Sequence, residues 1–173
     1  MTTAIKGNAT STFGGNIDVT GNVITDAPAF NAYLASDQTG VSSGVFTKIA
    51  FDTKEYDTTS SYNTTNYRFT PNVAGYYQIN AAVGVYQPDG NCGIFIYKNG
   101  SQDKWGNYIT RAGTPSLDLD VVVSTLVYFN GSTDYIEIYV YLTRSAASKF
   151  YGNSSYVSRT YFNGFLARAV WVQ

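Results

Sequence analysis

Apolar and polar positions alternate over most of the chain. From Tyr76 to Tyr86 the odd positions Tyr77, Ile79, Ala81, Val83 and Val85 are apolar, with Gln78, Asn80 and Gly84 between them. From Tyr135 to Leu142 the even positions Ile136, Ile138, Val140 and Leu142 form one face, and Tyr135, Glu137, Tyr139 and Tyr141 form the other. A two-residue period belongs to a strand with one face in a core, so both segments are predicted as half-buried antiparallel strands. Similar patterning predicts strands near 29–35, 45–51, 67–70, 93–98, 119–129 and 161–171. Turn signals separate them at Asp89-Gly90-Asn91, Asn99-Gly100, Gly113-Thr114-Pro115, Asn130-Gly131-Ser132 and Gly152-Asn153. No stretch carries a helical period with caps. The expected fold is all-β, an antiparallel β-sandwich of the jelly-roll kind.

The first part of the chain has another texture. Gly7-Asn8-Ala9-Thr10 is followed by Gly15-Asn16-Ile17-Asp18-Val19-Thr20 and then Gly21-Asn22-Val23-Ile24-Thr25, a short imperfect repeat. Each Gly-Asn pair suits a turn, and each following β-branched pair reads as a very short strand. Ile5, Phe13, Ile17, Val19, Val23 and Ile24 are too few to build a core. Residues 1–27 are therefore expected to be an extended docking or shaft arm that needs a partner surface or copies of itself. Residues 28–173 are expected to be one sandwich domain.

Composition narrows the chemistry. The chain has 173 residues, a size that fits one domain, and carries 11 Lys plus Arg against 12 Asp plus Glu. No basic footprint for nucleic acid is visible. Charged residues are 13% of the chain, where about 25% is usual. There is no histidine and a single cysteine, Cys92. Ser-His-Asp and Cys-His nucleophile systems, His- or Cys-rich zinc sites and an intrachain disulfide are thereby excluded. No apolar run approaches the roughly 20 residues of a membrane-spanning helix, and Met1 to Thr12 does not read as a secretory signal. Sixteen Tyr, ten Phe, two Trp and sixteen Gly remain, the vocabulary of sheets and tight turns.

Ordered motifs run through residues 28–169. They are Pro28-Ala29-Phe30-Asn31-Ala32; Ile49-Ala50-Phe51-Asp52 with Glu55-Tyr56-Asp57; and Arg68-Phe69-Thr70-Pro71 leading through Gly75 into Tyr76-Tyr77. Ile96-Tyr97-Lys98-Asn99-Gly100, Phe129 to Ile136 and Phe162-Asn163-Gly164-Phe165-Leu166 complete the series. In this order they resemble the globular domain of complement C1q and the related tumour necrosis factor-like jelly rolls. In the turn at Ser132-Thr133-Asp134 this chain departs from the Gly-Asp of that pattern. The resemblance implies a homotrimer, with Tyr135, Tyr139, Tyr141 and Phe165 as interface candidates. The Gly-Asn arm resembles the β-structured shafts that precede trimeric knobs in bacteriophage fibres. With the low-charge, Thr-, Ser-, Asn- and Tyr-rich composition, this gives a virion surface as the expected location.

No catalytic constellation is present, and no cofactor is expected. The closest acidic groupings are Asp52-Glu55-Asp57 and Asp118-Asp120; alternate positions can place Asp118 and Asp120 on one face, which makes them weak calcium candidates. Three loops predicted at 53–66, 101–114 and 144–159 carry rings and amides suited to sugar recognition, giving Tyr62, Trp105, Tyr108, Arg111, Tyr151 and Tyr156 as glycan-binding candidates. The expected function is a non-enzymatic virion structural protein, a trimeric knob on a tail or head fibre that binds host surface glycans. Its arm would dock on other capsid or tail proteins. Neither nucleic acid nor membrane insertion is expected. The alternatives are a capsid decoration (cement) protein, or a soluble lectin or tumour necrosis factor-like ligand.

Overall fold

The computed structural model describes residues 27–111, 117–144, 148–152 and 159–170. Among these residues there are thirteen strands and no helix. In chain order they are β1 (Ala29–Tyr33), β2 (Gln38–Val41), β3 (Val45–Lys48), β4 (Thr53–Asp57), β5 (Tyr62–Asn63), β6 (Arg68–Phe69) and β7 (Gly75–Val85). Then come β8 (Asn91–Lys98), β9 (Ser101–Thr110), β10 (Leu119–Phe129), β11 (Ile136–Leu142), β12 (Ser148–Phe150) and β13 (Tyr161–Ala169). The docking-arm residues Ile5, Phe13, Ile17, Val19 and Val23 lie outside the described residues, as does Tyr156.

The strands form two antiparallel sheets. In the first, β7 pairs along one edge with β10 over its whole length, from Gly75 opposite Phe129 to Val85 opposite Leu119. Its other edge carries β13 and, at Val85, β12. Outward from these, β1 pairs with β13, β4 with β1, and β2 with β12. In the second sheet β11 pairs with β8 on one edge, while β3 and β6 share the other. β9 extends β8, and β5 extends β6. This is the expected sandwich.

The alternating positions fall where the pattern put them. Tyr77, Ile79, Ala81, Val83 and Val85 are buried, as are Ile136, Ile138, Val140 and Leu142. Asn99 and Gly100, both at positive φ, join Lys98 to the Ser101 opposite it. That is a two-residue hairpin turn whose twist matches its strands. Gly164 is required by close approach: a Cβ there would sit 2.8 Å from Ile79 Cδ1 and 3.1 Å from Phe30 Cε1.

Five strands were not expected: β2, β4, β5, β9 and β12. The segment 101–114, expected as a loop, is strand over Ser101–Thr110. β9 and β4 lie at sheet edges, and their side chains are mostly exposed, so no apolar alternation marks them. Register shifts between Gly93 and Phe95 and between Ile96 and Tyr97 break the period of β9 further.

A string of rings joins the sheets. Phe30 of the first sheet stacks on Phe69 of the second at 4.2 Å between centroids. Phe30 also stacks on Tyr62 at 5.2 Å and meets the face or edge of Phe162 at 4.8 Å. Phe69 in turn packs against Tyr77 and Phe129, and Phe162 against Phe51. Phe69→Ala is therefore expected to cost about 3–5 kcal/mol, the usual loss for a buried ring, read as a lower urea midpoint at unchanged m.

Candidate functional site

The outer face of the first sheet is built in cross-strand rows set by its register. One row is Ala29, Phe165, Gln78 and Leu126, flanked on one side by Tyr76 opposite Tyr128. The next is Asn31, Asn163, Asn80 and Ser124. Beyond it come Tyr33, Tyr161, Ala82 and Val122. Tyr76, Val122, Leu126, Tyr128 and Phe165 are all 40% exposed or more, which makes two apolar bands on either side of an amide belt. Within the belt Asn80 Nδ2 donates to Asn163 Oδ1 at 3.0 Å, and Ser124 Oγ donates to Asn80 Oδ1 at 2.8 Å. Gln78 Nε2 donates to Ser124 Oγ at 3.0 Å. Asn31 Nδ2 donates to Glu55, yet Asn31 Oδ1 is buried and accepts no hydrogen bond. A buried acceptor without a donor is uncommon in a finished structure.

The outer face of the second sheet is aromatic. Its rows are Phe46, Tyr141, Gly93 and Tyr108; then Lys48, Tyr139, Phe95 and Trp105; then Glu137, Tyr97 and Gln102. Phe95 points away from the sandwich core but is covered by its neighbours, Phe46 and Trp105 each at 5.0 Å and Tyr108 at 6.4 Å. Tyr139 packs on Tyr97 at 4.1 Å, and Tyr141 on Phe46 at 5.0 Å. Tyr108 occupies the space above Gly93, where a Cβ would come 2.4 Å from its Cδ2. Trp105 is 62% exposed. Burial pushes the Tyr97 and Tyr139 hydroxyls up from their ordinary value.

Beside these rings Glu137 is only 2% exposed and receives Lys48 Nζ at 2.9 Å and Arg68 Nε at 2.8 Å. The Arg68 guanidinium lies 4.1 Å from the Tyr135 ring centroid. This carboxylate ties β3 and β6 to the same edge of β11. Each partner keeps some contact with water, so Glu137→Gln removes a shared charge without burying a lone one. The expected loss is about 1–3 kcal/mol in chemical denaturation, the range for a charge-assisted bond to a buried acceptor.

The third region is a cleft of about 340 Å³ at the end of the first sheet, lined by Asp118, Tyr151, Gly152 and Arg159. Arg159 pairs through Nη1 with Asp118 at 3.2 Å and through Nε with Asp120. Burial and a bond to Asp118 push the Tyr151 hydroxyl up to about 12. Nearby, Lys149 Nζ meets Asp37 at 2.6 Å, and Asp37 also accepts the Gly152 N–H.

The sequence candidates are redistributed by this geometry. Tyr62 is corrected: it is 3% exposed, packed on Phe30, with its hydroxyl donating to the Phe51 carbonyl at 2.9 Å, so no ligand reaches it. Trp105 and Tyr108 stand on a strand, not a loop, beside Tyr139 and Tyr141. Tyr135, Tyr139 and Tyr141 lie on the opposite face of the sandwich from Phe165. Arg111 closes the end of β9, its guanidinium donating to the Leu117 carbonyl at 2.7 Å. Asp118 and Asp120 are corrected as calcium candidates, because the Arg159 cation already holds both carboxylates. Phe46, Phe95, Tyr97 and Gly93 were missed. The unbroken apolar run Cys92 to Tyr97 signals a strand covered on both faces, and it could have revealed them.

Lys149 and the Gly152 N–H hold the Asp37 carboxyl below its ordinary value of 3.8. A depressed native value means the pair contributes fully above 3.8 and fades as pH falls through the lower native value. Asp37→Asn should cost roughly 1 kcal/mol at neutral pH and make thermal stability less steep on the acid side, read from thermal midpoints against pH.

No family model matches this sequence, and no curated protein sequence matches it. Solved structures do. The globular domain of zebrafish complement 1qA superposes with a TM-score of 0.59 at 16% identity, covering 83% of this chain and 99% of that one. Murine APRIL gives 0.60 at 8% identity over 81% of this chain and 98% of its own. Eiger TNF from S. frugiperda gives 0.60 at 9% identity over 84% and 94%. Strand order, register and these superpositions agree: the chain folds as a jelly roll of the C1q and tumour necrosis factor kind.

Proposed function

We propose that this chain is a non-enzymatic homotrimeric knob on a virion surface, held there by its N-terminal arm. The observation that carries the trimer is the outer face of the first sheet. Two half-exposed apolar bands flank an amide belt and bring Tyr76, Val122, Leu126, Tyr128 and Phe165 to one sheet face, and exposed apolar surface gathered on one face marks a protein contact. Closed cyclic symmetry buries one such face in every subunit. Phe165 belongs to this interface, while Tyr135, Tyr139 and Tyr141 face away from it.

The virion location is supported by the arm and by composition. The Gly-Asn repeat at 1–27 holds apolar residues without a core of its own. Charged residues are 13% of the chain, and a surface of hydroxyls, amides and tyrosines suits a particle exposed to changing salt. The two apolar bands of the first sheet and the aromatic face of the second are contact surfaces, which favours attachment or structure over chemistry.

Two measurements test the proposal. Light scattering on the purified chain should give three times the chain mass of 18.9 kDa, and the double substitution Leu126→Asp with Phe165→Asp should reduce it to one chain with unchanged far-ultraviolet circular dichroism. A single-chain mass for the unmodified protein would refute the trimer. Antibodies against the knob should label purified particles from the native source. Labelling only of secreted, particle-free protein would refute the virion location and favour a soluble ligand.

A further inference from the structure

We infer that the aromatic face of the second sheet is a binding shelf for the apolar face of neutral oligosaccharides. This rests on the proposed trimer, which buries the first sheet and leaves the second turned outward. Its centre is the buried ring of Phe95. Around it stand Phe46, Trp105 and Tyr108, each partly exposed, with centroids 5.0 to 6.4 Å from Phe95. Trp105 and Tyr108 are 5.9 Å apart and inclined by 37°, so their outer faces form two adjoining apolar plates.

Three features favour a neutral sugar over other occupants. Among the described residues every cation–ring contact falls on other rings, and none falls on Phe46, Phe95, Trp105 or Tyr108. In these and the adjoining rows Lys48 and Arg68 are both turned onto the Glu137 carboxylate rather than onto the shelf rings. The rings themselves therefore present no cation aimed at an acidic ligand. Polar groups border it on both sides. Thr110, whose hydroxyl donates to Asn91 Oδ1 at 2.9 Å, lies beyond Tyr108, and Gln102 lies beyond Trp105. An apolar plate with amide and hydroxyl edges matches a pyranose, which has a C–H face and a hydroxyl rim. Finally, the rings are held from behind. Phe95 backs Trp105, and Gly93 leaves the room that Tyr108 fills, so ordering them on binding costs little.

The test is saturation-transfer nuclear magnetic resonance and tryptophan fluorescence on the full chain, with cellopentaose, chitotetraose and laminaripentaose as neutral probes and a heparin hexasaccharide as the acidic one. At least one neutral probe should bind in the millimolar range, with transfer strongest to its ring C–H protons. Trp105→Ala and Tyr108→Ala should each weaken it about tenfold while the trimer mass is unchanged. Three results would overturn the inference: no neutral probe binding, binding untouched by both substitutions, or binding of the acidic probe alone. Association beyond the trimer that Trp105→Ala abolishes would also overturn it, since a second copy would then cover the shelf. A neutral probe that binds to a protein of single-chain mass would instead refute the trimer and leave the shelf standing.

Discussion

Phe30 on Phe69 is the contact on which the rest of the sandwich depends. There a ring from one sheet stacks directly on a ring from the other, at 4.2 Å, four further rings lean on the pair, and Phe51 leans on one of them, Phe162. Large flat side chains can fill the space between two twisted sheets only if the backbones nearby leave room, which explains why Gly164 stands opposite Phe30. β1 also fixes the first described residues of the sandwich. Pro28 and Ala29 are fixed by backbone bonds to Leu166 and Thr58, so the chain leaves the domain from a defined place beside β13 and β4.

With the core filled by this string, the remaining rings had to go outside. They are sorted by chemistry as well as by face. On the first sheet they alternate with amides in flat rows, the texture of a surface that meets another protein surface. On the second sheet they stand around a ring of their own, Phe95, and so cover one another. A face that buries its own centre has less need of a subunit over it. The difference between a flat banded face and a clustered one is what separates assembly from recognition in the proposed knob.

Legibility in the sequence followed burial. β7 and β11 have one face in the core, and their period of two was readable residue by residue. β9 is an edge strand with polar groups on both sides and two register shifts, so its sequence resembles a loop. Tyr62 misled for the opposite reason: it sits among Ser, Thr and Asn residues, but a two-residue strand turns it into the core. The outward aromatic cluster joins β3 and β11, far apart in the chain, to the β8–β9 hairpin, and only register brings Phe46 beside Tyr141 and Trp105 beside Phe95. Likewise Arg159 meets Asp118 and Asp120 across a separation that no local pattern marks.

The amide belt has a mechanical consequence. Asn31, Asn163, Asn80 and Ser124 lie at one height on a face whose bands above and below are apolar. An assembly in which copies meet at this face around a threefold axis would be keyed by that belt. A slide along the strands by one row would set amides against rings and strand them without partners, at a penalty for each. The belt thus works as a vernier. In the proposed trimer it would set the relative height of the copies, and with it the level at which residues 1–27 of each copy begin.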